Sequence, residues 1–232
     1  MGKREDNKTA KLLDREILSG IKEQIKGTGW KKKHNSFFRQ IESNFHCVSA
    51  HPYFEFNDGR PTLFLRVSSK AKPMGIDPIY WDIAELPDNK NEPLSFRTWA
   101  AFKTNALDFN HGEPLNGPMS SVNEVISAFM DWKDKETKSV TKTLESKIFS
   151  RIFRESKGEN ISKHSNPITL ICALILEGNQ EEALEIARKY APSSYRNLFV
   201  DGNPSDRVNF YELTVLYLAG RQAFENERKS HR

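Results

Sequence analysis

The chain has 232 residues, of which 37% are hydrophobic and 28% charged, with 15 Phe and 4 Trp. This composition supports a packed core in one large domain, or in one domain with a small appendage, and it excludes wholesale disorder. The formal net charge is +4, but residues 1–40 hold 11 Lys/Arg against 5 Asp/Glu, so an anionic partner is permitted near the N-terminus without being required.

Three features argue against secretion and membrane insertion. The N-terminus is polar from Met1 to Lys11, unlike a secretory signal peptide. The longest apolar run, Ile168 to Leu176, is too short to span a bilayer. The two cysteines, Cys47 and Cys172, form no CxxC pair. We therefore predict a cytoplasmic protein in a reducing setting, with no membrane partner.

The first predicted element is a helix from Thr9 to Lys26. Its apolar residues recur every four positions, which is the spacing of one helix face: Leu13, Ile17, Ile21 and Ile25. Gly27 and Gly29 follow, and glycine accepts the left-handed conformation that ends many helices. We expect the apolar face to be buried against a sheet.

Aromatic and β-branched residues next favour four strands: Ser36–Ile41, Phe45–Ala50, Thr62–Ser68 and Ser95–Phe102. Asn57-Asp58-Gly59 is a strong turn motif before the third strand, and Pro52 suggests a bend or an edge position after the second. Short connections of this kind predict mostly antiparallel pairing, because parallel strands need long crossovers.

Between and beyond these strands the sequence predicts helices and loops. They are a short helix at Ile76–Leu86, a loop at Asn110–Pro118, a helix capped by Ser120 or Ser121, a polar bridge at Lys133–Lys138, and a helix through Val140, Leu144, Ile148 and Ile152.

The chain changes character after Lys157 to Asn166, a polar segment that we interpret as a linker. Leu170 to Ala183 resembles the helix–Gly–helix unit of tetratricopeptide hairpins, with Gly178 at the reversal. A weaker echo, Leu218-x-Gly220-x-Gln222, follows 42 residues after Leu176-x-Gly178-x-Gln180. A solenoid needs about three units, so we predict two amphipathic hairpins that close the domain.

Together these elements predict an α+β fold, in which helices pack an antiparallel sheet of four or more strands and the C-terminal segment is helical. We predict an α+β domain over residues 1–156. Residues 157–232 are predicted to form a helical C-terminal segment, either separate or integral to the same domain.

A short motif near the N-terminus links the chain to a family. Gly29-Trp30-Lys31-Lys32 precedes a strand that contains Phe37, Phe38 and Arg39. This arrangement resembles the bacterial family known as domain of unknown function 4304, whose members typically show a helix, then Gly-aromatic-basic-basic, then an aromatic strand containing a basic residue. The resemblance covers about the first two thirds of the chain and implies an α+β fold. It brings no catalytic residue.

The same segment supplies a candidate anion site, formed by Trp30, Lys31, Lys32, Lys33 and Arg39. Lysines neutralise phosphates, and an exposed aromatic ring can stack on a base, so the cluster predicts nucleic-acid binding. The alternative interpretation is a solvated strand edge, where lysines discourage pairing between sheets.

A zinc site is not predicted, although His46, Cys47 and His51 are close in sequence. On a strand His46 and Cys47 point to opposite faces, so they cannot easily bind one ion together. Ordinary sheet residues are the preferred interpretation, and we predict no cofactor.

A degenerate calcium-loop pattern lies near the C-terminus, with ligand positions one, three, five and twelve at Asp201, Asn203, Ser205 and Glu212. Asp206 stands where such loops need glycine for a sharp turn, and Pro204 stiffens the segment. A turn followed by a helix N-cap is therefore the preferred interpretation.

Walker A, GxSxG, HExxH and GxGxxG motifs are absent from the sequence. Our leading prediction is a non-enzymatic bacterial accessory protein that acts on a protein partner. The candidate contact residues are apolar ones beyond those needed for one helix stripe, namely Phe210, Tyr211, Tyr217 and Phe224. The alternatives are a nucleic-acid-binding module that uses Lys31–Lys33 and an enzyme whose active site is assembled from distant residues.

Overall fold

The computed structural model describes residues 3–58, 60–100, 102–115, 117–163, 165–192 and 209–230, with backbone alone at residue 3 and over 221–230. The chain forms two compact units. The sheet unit comprises Met1–Lys72 and Ala106–Ser146, and the helical unit comprises Pro73–Asn105 and Lys147–Arg232. These units do not coincide with the predicted division after residue 156, because residues 73–105 join the C-terminal helices.

The helices and strands, in chain order, are α1 (Lys3–Gln24), β1 (Lys31–Lys33), β2 (Ser36–Ile41), β3 (Asn44–Asn57), β4 (Arg60–Pro73), α2 (Ile76–Ile83), α3 (Phe96–Trp99), β5 (Leu107–Pro114), α4 (Val122–Ser146), α5 (Phe149–Lys157), α6 (Ser165–Leu176), α7 (Gln180–Tyr190) and α8 (Phe210–Ser230). Short 3₁₀ helices cover Pro87–Asn91 and Gly158–Ser162. Within the described part of the chain, no helix is both long and apolar enough to cross a membrane.

The five strands form one antiparallel sheet in the order β1-β2-β3-β4-β5. This confirms the predicted α+β class and the predicted antiparallel sheet of four or more strands. The register of β3 with β2 ends where Ser36 lies opposite Ser49. Pro52 lies beyond that point, where its missing N–H removes no hydrogen bond to β2.

Two sequence predictions in this region are wrong. Residues 95–102 were expected to form a strand, but Phe96–Trp99 is the short helix α3. Two strands were not predicted, β1 and β5, and β5 includes residues from the predicted loop Asn110–Pro118. β5 pairs with β4 at an edge of the sheet, with register shifts between Val67 and Ser68 and between Ser69 and Lys70. An irregular edge strand tolerates glycine and proline. The loop was predicted from these residues, which is why the strand was missed.

The predicted polar bridge at Lys133–Lys138 is also wrong, because α4 continues through it. Two of its polar residues, Lys133 and Glu136, contact residues outside α4. The Lys133 ammonium lies 5.4 Å from the centre of the Trp30 ring, and Ser69 donates a hydrogen bond to Glu136. The predicted linker at 157–166 likewise contains a 3₁₀ helix and the start of α6.

The core of the sheet unit lies between the sheet and the two helices α1 and α4. Ile17, Ile21 and Ile25 are at most 2% exposed, which confirms the predicted buried face of α1. Their partners on the sheet, on α4 and in the segment that precedes α4 are Phe37, Val48, Ala50, Leu63, Leu65, Val67, Met119, Val125, Ile126 and Phe129. Residues that alternate with these along β3 and β4 must therefore point to the opposite face.

Helices α1 and α4 approach closely at Gly20. A Cβ atom at this position would overlap Cδ1 of Ile126 and would lie 3.3 Å from its Cγ1. Ile126 is only 5% exposed, so it has little room to move aside.

In the helical unit, α2 packs against α6 and α8, and α5, α6, α7 and α8 pack each against the next. The buried carboxylate of Asp77 accepts hydrogen bonds from the Thr104 backbone N–H at 2.9 Å, the Thr104 hydroxyl at 2.7 Å and the Arg97 guanidinium at 2.9 Å. Arg97 also lies 5.3 Å from the centre of the Trp81 ring. This local network fixes the conformation of residues 77–104, since a buried carboxylate is costly without such partners.

We expect Gly20→Ala to lower the free energy of unfolding by about 1 kcal/mol. The helix propensity of alanine would add about 1 kcal/mol, but overpacking a core contact typically costs about 1–3 kcal/mol. Ile126→Val removes Cδ1, so the double variant should lose less than the sum of the two single variants in chemical denaturation. The matched control is Gly220→Ala in α8, where an added Cβ meets nothing within 4 Å and should stabilise. A stabilising Gly20→Ala would contradict the close packing.

Candidate functional site

The helical unit contains a cleft that is built on the helix α6. Nine of its twelve residues are buried, among them Leu170 and Leu174, so α6 is the central helix around which the others pack. Gly178 adopts a left-handed conformation with φ +85°, and the backbone N–H of Asn179 binds the carbonyl of Leu174 at 2.8 Å. This reversal places α7 beside α6 and confirms the first of the two predicted hairpins. The second is wrong, because α8 continues through Gly220 as one helix.

Helix α5 is held against the end of α6 by Glu177. Its carboxylate accepts hydrogen bonds from the Ser150 backbone N–H at 2.9 Å and from the Ser150 hydroxyl at 2.5 Å. An anionic side chain at the first turn of a helix satisfies free N–H groups and complements the helix dipole. The anchoring fixes the direction of Arg154, which lies one turn further along α5.

The cleft between these helices has a volume of about 280 Å³. Its lining combines four apolar side chains, Ile161, Leu170, Ile186 and Tyr190, with four charged ones, Arg154, Glu182, Glu185 and Lys189. On α7 the lining residues follow the spacing i, i+3, i+4, i+7, which is one helix face. The cleft therefore offers apolar surface beside charges of both signs.

The charged side chains of the cleft are only partly neutralised by one another. Arg154 Nη2 donates to Glu182 Oε1 at 2.5 Å, and the two side chains are 40% and 43% exposed. An ion pair this exposed contributes little to stability. Arg154 Nε is buried without a hydrogen-bond partner in the described structure, whereas the side chain as a whole is 40% exposed at the cleft.

Tyr190 links the cleft to α8. Its ring stacks on Tyr211 with the ring centres 5.5 Å apart, and the Lys189 ammonium lies 5.8 Å from the Tyr190 ring centre. Burial, with a smaller effect from Tyr190, raises the pKa of Tyr211 to about 12. Tyr211 is therefore neutral and belongs to the support of the cleft.

The predicted partner residues are placed differently from expectation. Phe210 and Tyr211 are 2% and 6% exposed, and Phe210 packs on Tyr80 at 5.3 Å between ring centres. Their burial removes both from any partner surface. Tyr217 is half-buried, and the side chain of Phe224 lies outside the described residues. Among the side chains of α8 that the structure describes, the large apolar one that is exposed is instead Leu216, at 64%.

The predicted anion-site residues do not form one exposed cluster. Trp30 is 8% exposed beneath Lys133, so its ring is not available for stacking on a base. Lys31 and Lys33 are exposed on β1, the edge strand of the sheet, and Lys32 points to the other face. Burial and the nearby Lys22 lower the pKa of Lys32, while Asp14 raises it.

Arg39, the fifth predicted anion-site residue, is partly buried beside Gly29. Its Nε would lie 3.2 Å from a Cβ at that position. Arg39 lies directly opposite His46 in the β2–β3 register.

Metal binding finds no support in the described residues, which contain no group of three or more His, Cys, Asp or Glu side chains arranged to hold an ion. Of the calcium-loop pattern, Asp201, Asn203 and Ser205 lie outside the described residues. Glu212 caps α8: its carboxylate accepts from the Asn209 backbone N–H at 2.9 Å, and its own N–H binds Asn209 Oδ1 at 3.0 Å.

His46 is buried, and its Nε2 atom has no hydrogen-bond partner in the described structure. Burial lowers the pKa of His46 to about 4, although the charge of Glu42 raises it. The imidazole is therefore neutral at physiological pH. It acts as a core residue of the sheet unit, in line with the preferred interpretation from the sequence.

Sequence reasoning missed the cleft because its residues come from three segments. Arg154 follows the last residue named for a predicted helix, Ile152, and Ile161 lies in the predicted linker at 157–166. The spacing of Glu182, Glu185, Ile186 and Lys189 could have indicated a shared helix face. It could not have shown which neighbour that face borders.

Comparison with protein-family models, with curated proteins and with solved structures finds no match to this chain. The resemblance to domain of unknown function 4304 stays a prediction.

We expect the stability of the protein to fall as pH is lowered from about 6.5 to 4. An unfolded histidine has a pKa of about 6.5, and His46 takes up its proton near pH 4 in the folded state. The unfolded chain therefore binds the proton first, and the loss approaches about 3 kcal/mol.

His46→Gln should flatten this part of the pH profile in denaturant titrations. Equal slopes in wild type and His46→Gln would show that another group is responsible.

Proposed function

We propose that the protein is a non-enzymatic accessory protein of the bacterial cytoplasm, and that its helical unit binds a short segment of a partner protein in the α5–α7 cleft. The observation that carries this proposal is the lining of the cleft, in which an apolar floor meets charges of both signs. The bacterial setting rests on the family resemblance. The reducing cytoplasmic setting rests on the sequence, in which Cys47 and Cys172 form no CxxC pair.

The size of the cleft favours part of a macromolecule over a whole small molecule. Pockets that enclose drug-sized ligands span about 300–1,000 Å³, and this open cleft is slightly smaller, at about 280 Å³. It suits one or two apolar side chains of a larger partner. Helical grooves commonly recognise peptides through a few such anchor residues.

The charge of the helical unit favours a protein over a nucleic acid in this cleft. Residues 73–105 and 147–232 hold 16 Lys/Arg against 16 Asp/Glu, a net charge of zero. Glu182 and Glu185 at the cleft would repel a chain of phosphates. We expect the partner segment to carry an apolar anchor flanked by residues of both charge signs.

The test is selection of peptides from a displayed random library on the full-length protein, followed by affinity measurement of the enriched peptides in solution. Ile186→Glu and Lys189→Glu should each weaken binding by tenfold or more, because they place a carboxylate in the apolar floor or reverse a charge at the rim. The matched control is Leu216→Glu, which alters an exposed apolar residue of α8 that does not line the cleft.

Unchanged affinity in Ile186→Glu and Lys189→Glu, or binding abolished by Leu216→Glu, would place the peptide elsewhere and remove the proposal. Circular dichroism of each variant should show the helical content of the wild type. A variant that fails this check is replaced by Ile186→Ser.

Nucleic-acid binding by Lys31–Lys33 stays the second candidate, and one observation favours it. The sheet unit holds 19 Lys/Arg against 15 Asp/Glu, so the whole formal excess of +4 lies there. Lys31 and Lys33 project this charge from the edge strand β1.

If β1 contacts phosphates, Lys31→Gln together with Lys33→Gln should lower the slope of log affinity against log salt by about 2, since about one counterion is released for each phosphate contact. Fluorescence anisotropy with labelled oligonucleotides measures this slope. An unchanged slope would mean that the two lysines serve only to protect the sheet edge.

A further inference from the structure

We infer that the exposed face of the β3–β4 hairpin is a binding site for single-stranded nucleic acid, with Tyr53, Phe64 and Arg66 as its contact residues. The inference is independent of the peptide cleft. It deepens the nucleic-acid alternative by naming a site and a strand type, and it does not require Lys31 or Lys33 as the principal contacts.

The three side chains form one stacked column. The rings of Tyr53 and Phe64 are 4.9 Å apart between centres and only 13° from parallel. The Arg66 guanidinium carbon lies 4.9 Å from the centre of the same Tyr53 ring. Tyr53 comes from β3, and Phe64 and Arg66 come from alternate positions of β4, so the column crosses two strands.

The column lies on the face of the sheet that is not covered by α1 and α4. Phe54 and Leu63, the neighbours of Tyr53 and Phe64 in sequence, pack into the core beneath those helices. Side chains alternate along a strand, so Tyr53 and Phe64 point the other way. Arg66 is exposed and the two rings are half-buried, which leaves the column accessible.

The chemistry of this column suits an unpaired base. Aromatic rings and planar guanidinium groups are the surfaces on which splayed-out bases stack, and an exposed guanidinium can also bind a phosphate. In a duplex the base faces are occupied by their neighbours, so such a column discriminates in favour of single strands. The positive excess of the sheet unit supplies the long-range attraction.

Charges around the column give the bound strand a direction. His51, two residues from Tyr53 on β3, shares a hydrogen bond with Asn35 Nδ2 at 2.8 Å, which brings the turn that carries Lys33 beside the hairpin. On the other side, the exposed Glu55 lies on the same face as Tyr53. Phosphates should therefore run from the column toward Lys33 and away from Glu55.

A purely structural role for the column is the competing explanation, because cross-strand aromatic pairs also stabilise hairpins. The two explanations differ at Glu55. Because Glu55 is exposed, replacing it should barely change the stability of the fold. Its negative charge should, however, repel phosphates and so weaken nucleic-acid binding.

The test uses the full-length protein and a fluorescein-labelled oligo(dT) of about 15 nucleotides, a length that covers one typical binding surface, in anisotropy titrations at about 50 mM salt. We expect saturable binding and much weaker binding of the matched duplex. Tyr53→Ala and Arg66→Gln should each raise Kd by tenfold or more, whereas Tyr53→Phe should change it less than threefold. Glu55→Gln should tighten binding about threefold.

The matched control for the lost charge is Lys8→Gln, an exposed residue of α1 on the other side of the sheet. Absence of saturable binding, equal affinity for duplex, or a loss in Lys8→Gln as large as in Arg66→Gln would overturn the inference. So would dependence on Lys31 and Lys33 with no effect of Tyr53→Ala. If Tyr53→Ala fails to fold, Glu55→Gln decides: unchanged or weaker binding rejects the site.

Discussion

The sheet unit depends on the burial of one face of α1, which consists of isoleucines, against the sheet. Ile17, Ile21 and Ile25 are almost wholly removed from water, and each buried side chain contributes about 1.5–3 kcal/mol. The free energy of unfolding of a whole domain is only about 5–15 kcal/mol, so the burial of this face is large by comparison. Because strand side chains alternate, burying this face also decides which residues of β1, β3 and β4 face away.

The helical unit depends in the same way on α6, whose apolar side chains are enclosed on nearly all sides. The cleft is lined by residues of α5, α6 and α7. The polar contacts there, such as the Arg154–Glu182 pair, are half-exposed and contribute little to stability. The charged residues of the cleft can therefore vary without loss of the fold, which is the situation in which binding specificity can change from one sequence to another.

The sequence predicted the α+β class, the buried face of α1, three of the strands and the α6–α7 hairpin, because these elements carry their own periodicity and turn residues. It failed at α3 and β5. The apolar alternation of residues 95–102 is too short to separate strand from helix, and the conformation is set by Arg97 binding Asp77, twenty residues away. β5 contains Gly112 and Pro114, which only an edge strand accommodates. The cleft and the aromatic column could not be predicted from the sequence, since each joins residues that are distant in sequence or lie on different strands.

The placement of residues 73–105 has a consequence for synthesis of the protein. This segment lies between β4 and β5 in the chain, and its helix α2 packs against α6 and α8, which are synthesised later. The buried carboxylate of Asp77 does not depend on these later helices for the hydrogen bonds described above, because Arg97 and Thr104 belong to the same segment. On the ribosome the segment can therefore form its polar network early while its apolar surface waits for the C-terminal helices. A ribosome that stalls before α6 and α8 are synthesised would therefore hold a chain in which the apolar surface of α2 is exposed. Chaperones bind exposed apolar surfaces of this kind.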